Sequence, residues 1–360
     1  MKKIMFVIGD LAGGGAERVV TSIASGLSEK DFQVSILTYY KEENEYPYSS
    51  KINRINISNG NINDFNKIST IKKLKLIRKS IKKEQPDEII CFFPHILFHI
   101  FMATIFSKYN KKLSFAVRAN PKKERKELNK NSNKILRFIK RIITQNTGQT
   151  TCFSPKLQKK MVIIPNPMYD ELFINEKKYS PVPTKIVSVG RLNDQKNYKL
   201  AIEAFEIIYQ KYSNFEYFIY GAGSLEAELK ELIKSKKLEN NIHIMGFEKD
   251  RNKIYGDKDI FLMTSKFEGM PNALAEAMCM GIPAISTDCD FGPRDLIMND
   301  DMGILLKDYE VETLVNSLES VICDYENYVL KAKKAREILK EKYSFDKVMN
   351  IWETMLQKEK

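Results

Sequence analysis

The sequence has no Cys-x-x-Cys pair, and its five cysteines (Cys91, Cys152, Cys279, Cys289 and Cys323) are widely spaced and mostly set inside apolar runs. That pattern argues against a thiolate metal centre or a disulfide framework and matches reduced intracellular thiols. No secretory leader is expected. The basic start MKKIMFVIGD has only about six apolar residues before a glycine-rich loop, so a first β-strand is expected there. Long apolar runs are scarce: the one near spanning length, Ile89–Phe106, contains Pro94, His95 and His99. It divides better into a buried strand, Glu88–Phe93, and a buried helix, Ile96–Ser107. No internal repeat is visible within either half.

What is present is enough for two globular cores. Hydrophobic residues make up 43% of 360 and charged residues 29%, which suits two α/β domains. Charge is divided unevenly. Residues 1–170 carry 31 Lys and Arg against 14 Asp and Glu, while residues 171–360 carry 27 against 32. The basic excess concentrates in Lys72–Lys83 and in Lys111–Arg141. Ile71, Leu74, Ile77 and Ile81 recur at helical spacing through the first cluster and predict an amphipathic helix with a cationic outer face. Two such clusters on one domain suit an anionic surface, lipid or nucleic acid.

Strands and helices alternate along the chain. Strands are predicted at Lys3–Ile8, Gln33–Tyr39, Glu88–Phe93 and Ser114–Arg118, with helices at Ala16–Glu29, Asp64–Lys83 and Ile96–Ser107. A Pro-rich stretch from Ile164–Met168 to Ser180–Thr184 is the candidate linker. Alternation restarts with strands at Lys185–Val189, Glu216–Tyr220, Ile242–Met245, Asp259–Thr264 and Pro283–Thr287. Helices are expected at Tyr198–Tyr212, Leu225–Lys236 and Asn272–Met280, then at Val311–Lys342 and Phe345–Gln357. The pattern is α/β, with two Rossmann-like doubly wound domains.

Three loops carry chemistry. Gly13, Gly14 and Gly15 lead into a helix near Ala16, where bare backbone and a helix N-terminus suit a phosphate. This loop matches neither GxGxxG nor P-loop spacing, and the second strand ends Thr38-Tyr39-Tyr40-Lys41, with no carboxylate for a dinucleotide ribose. In VSVGRLNDQKN, Arg191 and Lys196 follow a strand's carboxyl end, a fork and a point charge suited to a diphosphate. In SKFEGMPNALAEAMCMGIPAIST, Glu268 lies in a loop, Gly269 and Pro271 hold a turn, Asn272 is placed to cap a helix, and Glu276 falls on its second turn. A loop carboxylate can bond sugar hydroxyls, and a second can hold a ribose diol. The DxD-like runs Asp257–Asp259 and Asp288–Asp290 read as a strand entry and a loop.

GGGAERV, IPNP, VGRL with QKN, YGAGSLEAELKELI and EGMPNALAEAM together resemble, in that order, the retaining glycosyltransferases of family 4, with the GT-B fold of two domains facing each other across a deep cleft. The resemblance covers nearly the whole chain. It implies an acceptor-binding domain at 1–170, a nucleotide-sugar-binding domain at 171–344, and a helix at 345–360 returning to the first domain. It implies that Arg191 and Lys196 neutralise the donor diphosphate, that Glu276 holds the ribose, and that Glu268 with Gly269, Met270, Pro271 and Asn272 binds the sugar. Gly14 and Gly15 would complete the pyrophosphate cradle. The donor would be a UDP-sugar, with GDP as the alternative, and no metal would be required, because cations and helix dipoles stabilise the leaving nucleotide. Configuration would be retained, with Glu268 acting as an electrostatic stabiliser rather than a nucleophile.

Where many family members have a histidine, this chain has Val117-Arg118-Ala119-Asn120-Pro121, making Arg118 and Asn120 site residues, with His95 at a strand end as a stand-in. The basic first domain suits an enzyme resting on the cytoplasmic face of an anionic membrane and extending a polyprenyl-diphosphate-linked saccharide, with the Arg118–Arg141 region flanking the acceptor. Such enzymes assemble capsule, exopolysaccharide or lipopolysaccharide. A nucleotide-sugar epimerase shares the architecture, and a nucleic-acid-binding protein would use the basic half. The second of these is disfavoured because aromatics do not interleave the basic clusters.

Overall fold

The structure, a computed structural model, describes residues 1–118, 120–122, 134–174 and 177–358. The chain divides into two units, Met1–Pro167 with Val348–Lys360, and Met168–Lys347.

The first unit is built on a parallel sheet of β1 (Lys2–Ile8), β2 (Phe32–Thr38), β3 (Asn53–Asn56), β4 (Glu88–Phe92), β5 (Leu113–Ala116), β6 (Arg141–Thr144) and β7 (Met161–Ile163). Its order is β3-β2-β1-β4-β5-β6-β7. The direction of winding reverses between β1 and β4, where Val7 pairs with Leu37 on one side and Cys91 on the other. Helices cover both faces, which is why the central strands read as unbroken apolar runs such as IMFVI rather than alternating ones. One face packs Met5, Val7 and Ile89 against Ile77, Ile81, Ile96 and Ile100. On the other, Phe6 meets Phe92 and the edge of Trp352, each with ring centroids 6.1 Å apart. Trp352 comes from the last helix, Phe345–Gln357, and is wholly buried.

The second unit repeats the plan with β8 (Lys185–Val189), β9 (Glu216–Tyr220), β10 (Ile242–Gly246), β11 (Ile260–Met263), β12 (Ala284–Thr287) and β13 (Ile304–Leu306), in the order β10-β9-β8-β11-β12-β13. Tyr217, Ile219, Phe205 and Leu314 fill one face. Phe261, Met263, Leu274 and Leu339 fill the other.

Several expectations are corrected. The helix expected over Asp64–Lys83 is two, Ile62–Lys67 and Thr70–Glu84, because Ile68 is extended and the Ser69 hydroxyl caps the second helix at the Lys72 amide. Of the stripe assigned to that helix, Ile77 and Ile81 are buried, but Ile71 is 69% exposed. The stretch expected over Val311–Lys342 breaks at Asp324 into Val311–Cys323 and Tyr325–Tyr343. The Pro-rich segment is not a linker along its length, since Met168, Leu172 and Phe173 pack into the second unit's core. Ile89–Phe106 does divide into a strand and a helix, Pro94–Thr104. Among the described residues no helix is long and apolar enough to cross a membrane. Much of Lys111–Arg141, with Ala119, lies outside the described residues.

Candidate active site

In the second unit the sheet's carboxyl edge is built around glycines. Gly190 follows β8, and a Cβ there would lie 2.6 Å from Lys196 Cε, so its bareness leaves the channel through which the lysine stem runs. Gly221 has φ +147, and a Cβ on it would lie 1.9 Å from the Gly190 carbonyl oxygen. The close approach of these two loops therefore requires glycine. Between them the Gly190 and Leu192 amides donate to the Tyr220 and Ala222 carbonyls at 2.9 and 3.0 Å, fixing the turn that carries Arg191. Arg191 is exposed and makes no ion pair among the described residues.

Lys196 closes a short 3-10 turn, Asp194–Lys196, and its ammonium donates to Glu268 Oε1 at 2.7 Å. The two loops are zipped together beneath that pair. Thr264 donates to the Lys196 carbonyl at 2.9 Å, the Lys266 amide to Gln195 at 2.8 Å, and the Gln195 amide group to Phe267 at 2.8 Å. Glu268 is only 8% exposed, so its charge depends on Lys196 for compensation. Beside it the Cys289 thiol is pushed up to about 12 by burial and then by the Glu268 charge, which leaves it a packing group rather than a nucleophile.

The helix Asn272–Cys279 follows the turn at Gly269–Pro271. Asn272 does not cap it: the N-cap is Pro271, which has no side-chain acceptor. Gly292, at φ +92, abuts this turn, and a Cβ would come 2.4 Å from Pro271 Cδ and 2.6 Å from the Gly269 oxygen. Glu276 is on the second turn and 4% exposed. Its Oε2 accepts from the Tyr255 hydroxyl at 3.2 Å, and its Oε1 lies 3.8 Å from Arg251 Nε. Arg251 and Tyr255 were not visible as site residues in the sequence, since they precede Glu276 by more than a strand and a loop. The DxD-like runs are occupied structurally. Asp259 accepts from the Thr184 and Lys185 amides, Asp257 pairs with Lys185 and Lys258, and Asp288 pairs with Arg294.

In the first unit Gly13 adopts φ +71, and Gly14, extended and buried, is the N-cap of the helix Gly15–Ser28. The strand expected over Ser114–Arg118 ends at Ala116, and Arg118 lies past it, over the Phe92 ring at 4.9 Å. Its Nη1 donates to Asn166 Oδ1 at 2.8 Å, and Gln145 donates to the same oxygen at 2.9 Å. Asn120 is buried and accepts from the Lys122 amide at 2.9 Å. Arg118, Gln145 and Asn166 thus gather beyond the carboxyl ends of β5, β6 and β7. In the sequence Asn166 stands out only as part of IPNP. His95 is not at a strand end: it is exposed in the first turn of the Pro94–Thr104 helix.

The family described as "Glycosyl transferases group 1" matches residues 171–340. The chain is 25% identical to an uncharacterized glycosyltransferase of Haemophilus influenzae, over 99% of this chain and all of that one. It is 24% identical, over 91% of this chain and 90% of the other, to a Campylobacter jejuni α-1,4-N-acetyl-D-galactosaminyltransferase whose name gives an undecaprenol-linked saccharide as its acceptor. Among solved structures, Anabaena HepE in complex with UDP and glucose superposes with a TM-score of 0.79 over 99% of both chains. At 19% identity that likeness is one of fold.

Proposed function

Because residues 171–340 match the group 1 glycosyl transferases and the chain has the two-domain GT-B fold, we propose that it is a retaining enzyme that moves a sugar from a UDP-sugar to a lipid-linked saccharide. The observation carrying this reading is the Lys196–Glu268 pair, zipped at the carboxyl edge of the second sheet beside an uncommitted Arg191. Arg191 and Lys196 would take the diphosphate, and no divalent ion would be needed where two cations and the positive end of the Asn272–Cys279 helix meet the leaving charge. Glu268 would face the sugar and stabilise positive charge developing at the anomeric carbon. Glu276, held by Tyr255 and Arg251, would accept the ribose hydroxyls.

In the first unit, Arg118, Asn120 and Asn166 would serve the acceptor, with Gly14 and Gly15 offering bare amides to phosphate. Contact with an anionic membrane is supported by the helix Thr70–Glu84, whose Lys72, Lys75, Arg78, Lys79, Lys82 and Lys83 are all exposed. It packs against the helix that exposes Phe98 and Met102, and Phe106 follows at 96% exposure. The work would be polysaccharide assembly; the C. jejuni relative's name describes transfer of N-acetylgalactosamine to an undecaprenol-linked saccharide.

The test is UDP release from UDP-sugars with bacterial lipid extract as acceptor. The expected result is lipid-dependent release, unaffected by EDTA and lost in Glu276→Ala and Arg191→Ala variants that keep the wild-type melting transition. Full turnover in both variants would sink the assignment.

A further inference from the structure

The first unit contains a cavity of about 490 Å3 that the transfer reading does not use. It lies at the amino-terminal ends of β6 and β7, the sheet edge opposite the one where Arg118, Gln145 and Asn166 gather. Its size falls within the roughly 300–1,000 Å3 of small-molecule sites. Five cations line it, Lys140, Arg141, Lys159, Lys160 and Lys358, and no acidic residue does. Between them lies an apolar wall of Met161 and Val162 from the sheet's edge strand and Ile351 and Met355 from the last helix.

The charge balance shows which cations are available. Lys140 and Arg141 share the buried Glu88 carboxylate, and Arg141 also donates to the Lys358 carbonyl, so this pair ties the helix end to β6. Lys159 and Lys358 are exposed and pair with no carboxylate among the described residues. Among the described residues the Lys160 ammonium donates to the Arg137 and Ile139 carbonyls, at 3.0 and 2.9 Å, and to no carboxylate, and burial holds it below the ordinary lysine value. Three cations without a counter-charge therefore ring an apolar wall. A phosphate alone would leave that wall wet, and an apolar ligand would leave the cations uncompensated.

From this geometry we infer that the cavity binds an anionic lipid, with its phosphate on Lys159, Lys160 and Lys358 and its acyl chain against Met161, Val162, Ile351 and Met355. The inference rests on the first unit alone and is independent of the donor chemistry.

The chain's single tryptophan, Trp352, is on the same helix as Ile351 and reports occupancy. The full-length protein is titrated with monomeric dodecyl phosphate carrying a brominated chain, and quenching of Trp352 is followed without nucleotide sugar. The expected result is saturable quenching, weakened at least about tenfold by Lys159→Glu with Lys358→Glu. Ile351→Asp, at a partly exposed position, weakens it similarly, while Lys234→Glu, exposed on a helix of the second unit, leaves it unchanged. Three outcomes overturn the inference. They are quenching that is absent or equal in all variants; inorganic phosphate competing as strongly as the amphiphile, which shows an anion site without a lipid; and a dimer in sedimentation that Ile351→Asp dissolves, which shows a second copy in the cavity.

Discussion

Lys196 is asked to do two things, and they can be separated. It would meet the donor's diphosphate, and it already compensates Glu268 at 2.7 Å in a site where the two side chains are 16% and 10% exposed. Lys196→Ala should therefore lower the stability of the second unit by about 2 kcal/mol, because it strands a desolvated carboxylate. Lys196→Ala with Glu268→Gln should recover part of that in urea unfolding, while UDP release stays abolished in both. Equal unfolding midpoints for the single and double variants would mean that the pair carries no coupling. Lys177 offers a pH test of a different kind. Burial pushes its ammonium down to about 8, against the pull of Asp259 and Asp257, while it donates to the Gly256 carbonyl at 3.1 Å. Below that pH both folded and unfolded chains hold the proton and the cost of burying the charge is present in full. Between about 8 and the ordinary lysine value near 10.4 the folded chain releases it first, so stability rises relative to a variant without the group. Lys177→Met should thus be more stable than wild type at pH 7, and the gap should close by pH 10. Tyr343, raised to about 12 by burial and then by Asp295 and Cys279, lowers stability above pH 10 in both proteins and cancels in the difference. A gap independent of pH would show that Lys177 does not titrate in this window.

At the level of elements, the turn Gly269–Pro271 is shaped by its neighbour Gly292. Any side chain there meets Pro271 and the Gly269 oxygen at distances no real contact permits, and φ +92 is unfavourable for it besides. Gly292→Ala should displace the turn that opens the Asn272–Cys279 helix and lower kcat/KM for the donor by about 100-fold. The expected fall in stability is about 1–3 kcal/mol, read from thermal unfolding. A variant with wild-type kcat/KM would separate the turn from donor binding. The strand ends of this sheet were legible in the sequence: β8 and β9 are apolar runs that stop at Gly190 and Gly221, and in the first unit the last helix also falls where its periodicity places it. β3 was not, because NRIN has no apolar alternation and only half-buries at an edge. β6 was hidden differently. Its Arg141 was counted in a basic surface stretch, whereas the fold buries it against Glu88, 53 residues earlier in sequence. Tyr255 and Arg251 escaped for the same reason. A side chain's partner on another element leaves no local periodicity, so Glu276 could be picked out and its holders could not.

At the scale of the molecule, the two units differ in how their chain closes. The second is continuous, Met168–Lys347, with cores on both faces of its sheet drawn from that span alone. The first is not, because it borrows Val348–Lys360 from the far end, and with it Trp352 at 0% exposure, Met349 and Leu356. Removing a buried tryptophan alone costs about 3–5 kcal/mol, a large share of the roughly 5–15 kcal/mol by which a domain is stable. Residues 168–347 expressed alone should unfold cooperatively. If the donor reading is right, they should also be stabilised by UDP, since Arg191, Lys196, Glu268 and Glu276 all lie within them. Residues 1–167 alone should be expanded and poorly cooperative. Adding a peptide of residues 345–358 should restore a sharp transition, because it returns Trp352 to Phe6 and brings the Lys358 carbonyl back to Arg141. A peptide with alanine in place of the tryptophan should fail. If residues 1–167 melt sharply on their own, the last helix is an attachment to the first unit, and the loss in Trp352→Ala should then be no more than that of an ordinary surface helix.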